Sequence, residues 1–236
     1  MKAVLLAAGK GERLKGVVQA TPKPMIEYNG KPLLQHNLEL CKQHGIMEIY
    51  INTHHLAENI RAYFGDGTKF GVKIYYSYEP ELLGTSGALN NFRSQLEGES
   101  FYVLYGDNYS RYDLQTLKTA FQNNRCIGVI AFHHREDVDQ SGVGEFDEDG
   151  RIVRFLEKPS AGVTASHWVN AGIYYLSPKI LNYIPRGFSD FGQDIFPRLL
   201  KESVPLYGVR SLVALKAFDT PELLRALLGD SGDLKL

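Results

Sequence analysis

The chain opens on an apolar run, Ala3 to Ala8, that stops at Gly9-Lys10-Gly11. A short apolar run ending at glycines reads as a buried central strand feeding a loop. Residues 9–24 are rich in glycine and lysine and close on Thr21-Pro22-Lys23-Pro24, where two prolines exclude helix and stiffen the backbone. Pro32 then opens a helix with Leu34, Leu38 and Cys41 at helical spacing and Gly45 as its stop. Glu48 to Thr53 predicts a second strand, residues 56–64 a short helix closed by Gly65, and Val72 to Ser77 a third strand. Thr85 stands at an N-cap position ahead of a helix from Ser86 to about Leu96, and Phe101 to Tyr105 is an apolar strand ending at Gly106-Asp107-Asn108. Asp113 caps a further helix, and Cys126 to His133 is a fifth strand. Strands alternating with helices predict an α/β, Rossmann-like fold whose mostly parallel sheet is covered by helices on both faces.

Beyond residue 140 the rhythm changes. Val143 to Phe146 and Ile152 to Leu156 flank Asp147-Glu148-Asp149-Gly150 as a hairpin would, and Trp168 to Leu176 is another strand. Ser177-Pro178, Ser189-Asp190 and Thr220-Pro221-Glu222 each start a helix. The second half therefore adds an antiparallel part to the sheet. No repeat or linker divides the chain, so residues 1–236 are expected to form a single domain, with a first half over about 1–135 and a second half over about 136–236.

Composition narrows the function classes. Lysine and arginine number 26 and aspartate and glutamate 27, a net charge of −1 that gives no support to binding nucleic acid or a membrane surface through bulk charge. No stretch approaches the roughly 20 apolar residues that span a bilayer, and the opening run is shorter than the core of a signal peptide. The two cysteines, Cys41 and Cys126, form no C-x-x-C pair, which points to a reducing cytoplasm.

The segment Leu6-Ala7-Ala8-Gly9-Lys10-Gly11-Glu12-Arg13-Leu14 carries the strongest chemical signal. Glycines beyond a buried strand let backbone N–H groups approach phosphate oxygens, and Lys10, Arg13, Lys15 and Lys23 add positive charge. A dinucleotide fingerprint would need glycine at Leu14, and a Walker A loop would need Lys-Ser/Thr where Val17-Val18 stand. Both fail. The seven histidines lack metal-ligand spacing and are assigned no role in metal binding or general-base catalysis.

The string L-A-A-G-x-G-x-R-L followed by P-K-P resembles the signature of the sugar-nucleotide pyrophosphorylases, which join a sugar 1-phosphate to a nucleoside triphosphate. The resemblance continues in order through Leu83-Gly84-Thr85-Ser86-Gly87-Ala88-Leu89, Tyr105-Gly106-Asp107-Asn108, Gly142-Val143 with Glu145-Phe146-Asp147, Phe155 with Glu157-Lys158-Pro159, and Asn170-Ala171-Gly172-Ile173-Tyr174. It implies the nucleotide-diphospho-sugar transferase fold. It also implies catalytic roles for Arg13, Lys23 and Asp107, and nucleotide contacts from Leu6, Ala8, Gly9, Gly11, Lys23, Gly84, Thr85 and Ser86. Gly142, Glu157, Lys158 and Asn170 would hold the sugar phosphate, and Asp107 a Mg²⁺ ion.

The family usually has an aspartate as second metal ligand in a D-x-G-T-P-E segment. Here the aligned stretch is Ala217-Phe218-Asp219-Thr220-Pro221-Glu222, which leaves Asp219 as a displaced candidate ligand. Gly16-Val17-Val18-Gln19-Ala20 likewise departs from the usual loop. The P-K-P-M and G-T-S-G-A-L forms look most like the branch that uses GTP with mannose- or heptose-type 1-phosphates. Uridylyl, thymidylyl and cytidylyl branches, a cytidylyltransferase acting on a phospho-alcohol, and a non-catalytic sensing homologue are the alternatives. The expected partners are a nucleoside triphosphate and a sugar 1-phosphate, with self-association left open.

Overall fold

The computed structural model describes residues 1–9, 11, 21–212, 215–218 and 224. In chain order the strands are β1 (Lys2–Leu6), β2 (Glu27–Tyr28), β3 (Lys31–Pro32), β4 (Glu48–Thr53), β5 (Lys73–Tyr78), β6 (Phe101–Tyr105), β7 (Asn108–Tyr109), β8 (Gly128–His134), β9 (Gly142–Phe146), β10 (Ile152–Glu157), β11 (Trp168–Leu176), β12 (Leu206–Ser211) and β13 (Lys216–Ala217). The α-helices are α1 (Leu33–Gln43), α2 (Ala57–Phe64), α3 (Gly84–Gly87), α4 (Arg93–Leu96), α5 (Leu114–Asn123) and α6 (Phe196–Lys201). The chain divides into two compact units, residues 1–82 with 104–111 and 215–236, and residues 83–103 with 112–214.

In the first unit β1 pairs with β4 and β4 with β5, all parallel, so that Leu5 lies opposite Ile51 and Ile51 opposite Tyr76. Val4, Leu5, Ile49 and Ile51 are completely buried, as the unbroken apolar runs of parallel strands require. Helix α1 buries Leu34, Leu38 and Cys41, the positions whose helical spacing the sequence displays, and Leu33 with them. The short strands β7 and β13 pair antiparallel, with Ala217 opposite Asn108.

In the second unit β11 is antiparallel to β8 and to β9, and β9 forms the expected hairpin with β10. Strand β12 adds a parallel edge to β8. Its sequence, Leu-Tyr-Gly-Val-Arg-Ser, has too little alternation to announce a strand, and long-range pairing with β8 makes it one. In this unit's core Tyr174 meets Phe191 and Phe196 edge to face, Phe155 meets Phe196 edge to face, and Phe191 stacks on Phe196.

Three expectations need correction. The helix expected from Ser86 to Leu96 is broken into α3, a 3₁₀ turn over Ala88–Phe92, and α4. Thr85 lies inside α3 and not at its N-cap, because its hydroxyl is taken by Asp190 across 2.7 Å. The helix started by Ser177-Pro178 is a 3₁₀ helix only, Pro178–Tyr183, although Ser177 does cap it by accepting the Lys179 N–H. Asp113 caps α5 as expected, and Asp190 caps a π turn, Phe191–Ile195, that runs on into α6. Among the described residues no helix is long and apolar enough to cross a membrane.

Candidate active site

In the first unit the carboxyl ends of the parallel strands β1 and β4 converge on a buried polar chain. The Ala7 N–H donates to Asn52 Oδ1 at 2.9 Å, and Asn52 Nδ2 donates to Glu79 Oε1 at 2.8 Å. Asn52 and Glu79 are at most 2% exposed, so the backbone just beyond β1 is fastened from beneath by groups that have left water. The carboxyl ends of parallel strands are where open α/β sheets hold ligands.

Asp107 reaches this place through a tight turn. The Gly106 N–H donates to the Leu6 carbonyl at 2.9 Å, and a Cβ on Gly106 would lie 2.9 Å from that same oxygen and 3.0 Å from Leu34 Cδ1. Only glycine brings the turn so close to β1. Lys23 begins a 3₁₀ turn, Lys23–Met25, set between Pro22 and Pro24, and the buried cluster of Ile26, Leu33, Phe218 and Leu224 packs nearby in the same unit. Its Nζ donates to Asp107 Oδ2 at 2.6 Å. Gly11 adopts φ +60°, and its Cβ position lies 3.7 Å from Lys23 Cβ. The structure therefore brings Gly11, Lys23 and Asp107 together. Arg13 and Asp219 lie outside the described residues.

The second unit holds the remaining candidates. Glu157 ends β10 opposite Gly142, and its Oε2 occupies the space a side chain at Gly192 would need, 2.4 Å from the Cβ position. Burial pushes the Glu157 carboxyl above the ordinary glutamate range, the negative charge of Asp190 adds to this, and Lys158 opposes it. Lys158 has φ +48°, a left-handed conformation that costs a non-glycine residue about 1 kcal/mol or more, and its N–H is held by the Ser141 carbonyl at 3.0 Å. Asn170 sits where the β11–β8 register shifts, its Nδ2 donating to the Tyr174 hydroxyl and its Oδ1 accepting the Gly172 N–H. Gly84, Thr85 and Ser86 lie along α3, bonded to the segment around Ser189.

Sequence reasoning missed Asn52 and Glu79 as supports and treated Ser189-Asp190 only as a helix start. The signal for Asn52 and Glu79 is a polar residue at or just after the end of an apolar strand; nothing local announces the reach of Asp190 to Thr85. Among the described residues no group of three histidine, cysteine or acidic side chains could hold a metal ion.

Comparison with known proteins places the chain in a family. The model of the family described as Nucleotidyl transferase matches residues 2–212. A UTP–glucose-1-phosphate uridylyltransferase from Synechocystis sp. is 38% identical over 223 residues, covering 89% of this chain and 58% of the relative. A mannose-1-phosphate guanylyltransferase from Mycobacterium tuberculosis is 32% identical over 222 residues, covering 93% of this chain and 61% of the relative. The chain thus spans under two thirds of the length of these relatives. A Bacillus anthracis structure described as a glucose-1-phosphate thymidylyltransferase superposes with a TM-score of 0.86 at 24% identity, covering 96% of this chain and 93% of that one, and bears out the expected fold. With the match running through nearly every described strand, the chain belongs to the Nucleotidyl transferase family.

Proposed function

We propose that the chain transfers a nucleotidyl group from a nucleoside triphosphate to a sugar 1-phosphate. A phosphate oxygen of the sugar forms a bond to the α-phosphorus, the bond from that phosphorus to the bridging oxygen breaks, and pyrophosphate leaves. In-line displacement needs no covalent protein nucleophile, so positioning and charge neutralisation carry the rate. The observation that carries this reading is the Lys23–Asp107 pair at 2.6 Å, a cation and an anion set beside the glycine loop at a strand end.

In this reading Gly9 and Gly11 offer main-chain N–H groups to the phosphates, with Leu6 and Ala8 behind them. Lys23, with Arg13, bears on the charge that develops at the α-phosphate. Gly84, Thr85 and Ser86 hold the nucleoside, Glu157 accepts sugar hydroxyls, Lys158 grips the sugar phosphate, and Gly142 and Asn170 shape that subsite. Asp107 suits Mg²⁺, because its partly exposed carboxylate already attracts a cation, and Mg²⁺ takes one or two carboxylates together with substrate phosphates and waters. Asp219 is the second ligand considered. Bound there, the metal would supply positive charge to the phosphate oxygens.

GTP with a mannose-type 1-phosphate is the favoured pair, supported by the loop sequences and by the guanylyltransferase relative. UTP with glucose 1-phosphate is the second reading, favoured by the 38% identical relative. Two free cysteines suit a cytoplasmic setting. Pyrophosphate release, screened over four triphosphates against mannose, glucose and heptose 1-phosphates with Mg²⁺, tests the proposal. Release with one triphosphate fixes the base; no release with any pair favours a non-catalytic, nucleotide-sugar-sensing homologue.

A further inference from the structure

Segments Leu83–Gly87 and Gly187–Gln193 lie about a hundred residues apart in sequence and are bonded to each other through Ser189, Asp190 and Phe191. The Ser189 carbonyl accepts the N–H groups of Ser86 and Gly87, each at 3.0 Å, and the Ser189 N–H donates to the Leu83 carbonyl at 2.9 Å. The Ser86 and Ser189 hydroxyls, fully buried, meet at 2.8 Å. The two backbones approach so closely that a Cβ on Gly84 would lie 2.3 Å from the Ser189 carbonyl oxygen, and one on Gly87 2.4 Å from that of Gly187.

At the centre is Asp190. Its Oδ2 accepts the Thr85 hydroxyl at 2.7 Å, while the same hydroxyl accepts the Phe191 N–H at 2.9 Å. Its Oδ1 accepts the N–H groups of Gly192 at 2.9 Å and Gln193 at 3.3 Å, which starts the π turn. Gly192, held by that bond, is the residue against which Glu157 Oε2 is pressed. A continuous path thus runs from the Glu157 carboxylate through Gly192 and Asp190 to Thr85. A carboxyl group that accepts from three donors fixes direction as well as distance, and π turns recur where a function needs the extra residue.

We propose that Asp190 is a positioning residue that couples the two substrates, holding Gly84 to Ser86 against the turn on which Glu157 packs, so that each substrate strengthens binding of the other. This rests on the proposed activity, because it assigns the nucleotide to one end of the path and the sugar phosphate to the other. Coupling of binding is reciprocal, and factors of about 5 to 150 are usual. A residue that merely capped the π turn would, when removed, weaken both ligands without changing how one affects the other.

The test uses the full chain with the non-hydrolysable analogue of the triphosphate selected by pyrophosphate release, titrated alone and with saturating sugar 1-phosphate. In the unmodified protein the sugar phosphate is expected to tighten the analogue about fivefold or more. In Asp190→Ala and Thr85→Val this factor should fall below about twofold, and Thr85→Ser, which keeps the hydroxyl, should restore it. Undiminished coupling in both Asp190→Ala and Thr85→Val, or none in the unmodified protein, overturns the inference. Amide exchange needs no ligand. In Asp190→Ala the Ser86 and Gly87 amides should exchange at least about tenfold faster while those of β8 keep their protection, and unchanged exchange at Ser86 and Gly87 overturns the latch. Pyrophosphate release with undiminished coupling defeats this inference alone. No release with any substrate pair defeats the activity and the coupling with it.

Discussion

Lys23→Met should tighten divalent-metal binding while it slows turnover. The Lys23 ammonium sits 2.6 Å from Asp107 Oδ2, with side chains only 11% and 29% exposed, so a metal that used Asp107 would compete with the lysine for it. The bare Coulomb attraction at that distance is about 6 kcal/mol at an effective dielectric of about 20, but desolvation cancels most of it. A hydrogen bond to a charged group nets about 1.5 to 3 kcal/mol, or roughly 10- to 150-fold in an equilibrium constant. The exposed side of Asp107 argues for the lower end. Titrating Mn²⁺ calorimetrically without nucleotide should therefore give a dissociation constant about tenfold lower in Lys23→Met. Pyrophosphate release should fall by about 10²- to 10³-fold, the usual cost of one lost charge-stabilising donor. Lys31→Met serves as the control: it breaks a half-exposed pair with Glu39, at 2.9 Å, that does not involve Asp107, and neither readout should move. Unchanged or weaker Mn²⁺ binding in Lys23→Met would refute the competition at Asp107.

Glu157→Gln should raise KM for the sugar 1-phosphate about tenfold or more, with a smaller effect on the triphosphate, because it removes a carboxyl acceptor of sugar hydroxyls; equal effects on both substrates count against that role. The native Glu157 carboxyl binds its proton more tightly than an unfolded one, so its contribution to stability falls as pH rises from the ordinary glutamate range through the raised native value; urea midpoints of Glu157→Gln against pH should lack this decline. His133 is pushed down to about 4 by burial first and then by the charges of Arg135 and His134, and its Nδ1 has no hydrogen-bond partner among the described residues. The unfolded chain therefore takes up this proton first, and about 3 kcal/mol of stability should be lost as pH falls from about 6.5 to about 4, a loss that His133→Phe reduces in the same urea series. Gly106→Ala should cost about 1 to 3 kcal/mol in thermal or urea unfolding, since its Cβ would crowd the Leu6 carbonyl and Leu34 together.

The fold was most legible where the chain's own period settles it. Buried parallel strands need apolar residues on both faces, so Ala3 to Ala8 and Glu48 to Thr53 stand out against their glycine and polar borders. Asp113 and Asp190 were legible as caps because a cap is a local contract between one side chain and the next two or three N–H groups. Strand β12 and the broken helix after Gly84 were not. One is made by pairing with β8, and the other is bent to a path set by Ser189 and Gly187, residues that no local window includes.

The same distinction governs the site. Residue type and the family resemblance singled out a lysine between two prolines and an aspartate after a strand-end glycine as candidates, and the fold brings Lys23 and Asp107 to 2.6 Å. They could not reveal which carboxylate a threonine would choose. Thr85 in isolation has the chemistry of an N-cap, and an N-cap is what local reasoning makes of it. In the folded chain its hydroxyl reaches Asp190, 105 residues away, and the N–H groups beside it go to Ser189. Because Gly84 and Gly87 leave no room for any side chain at that junction, the glycines of the loop are as much a record of the 187–193 segment as of a nucleotide. A motif read as ligand-binding is here also a packing interface. Substitutions in it will mix the two effects unless affinity and amide protection are measured on the same variant.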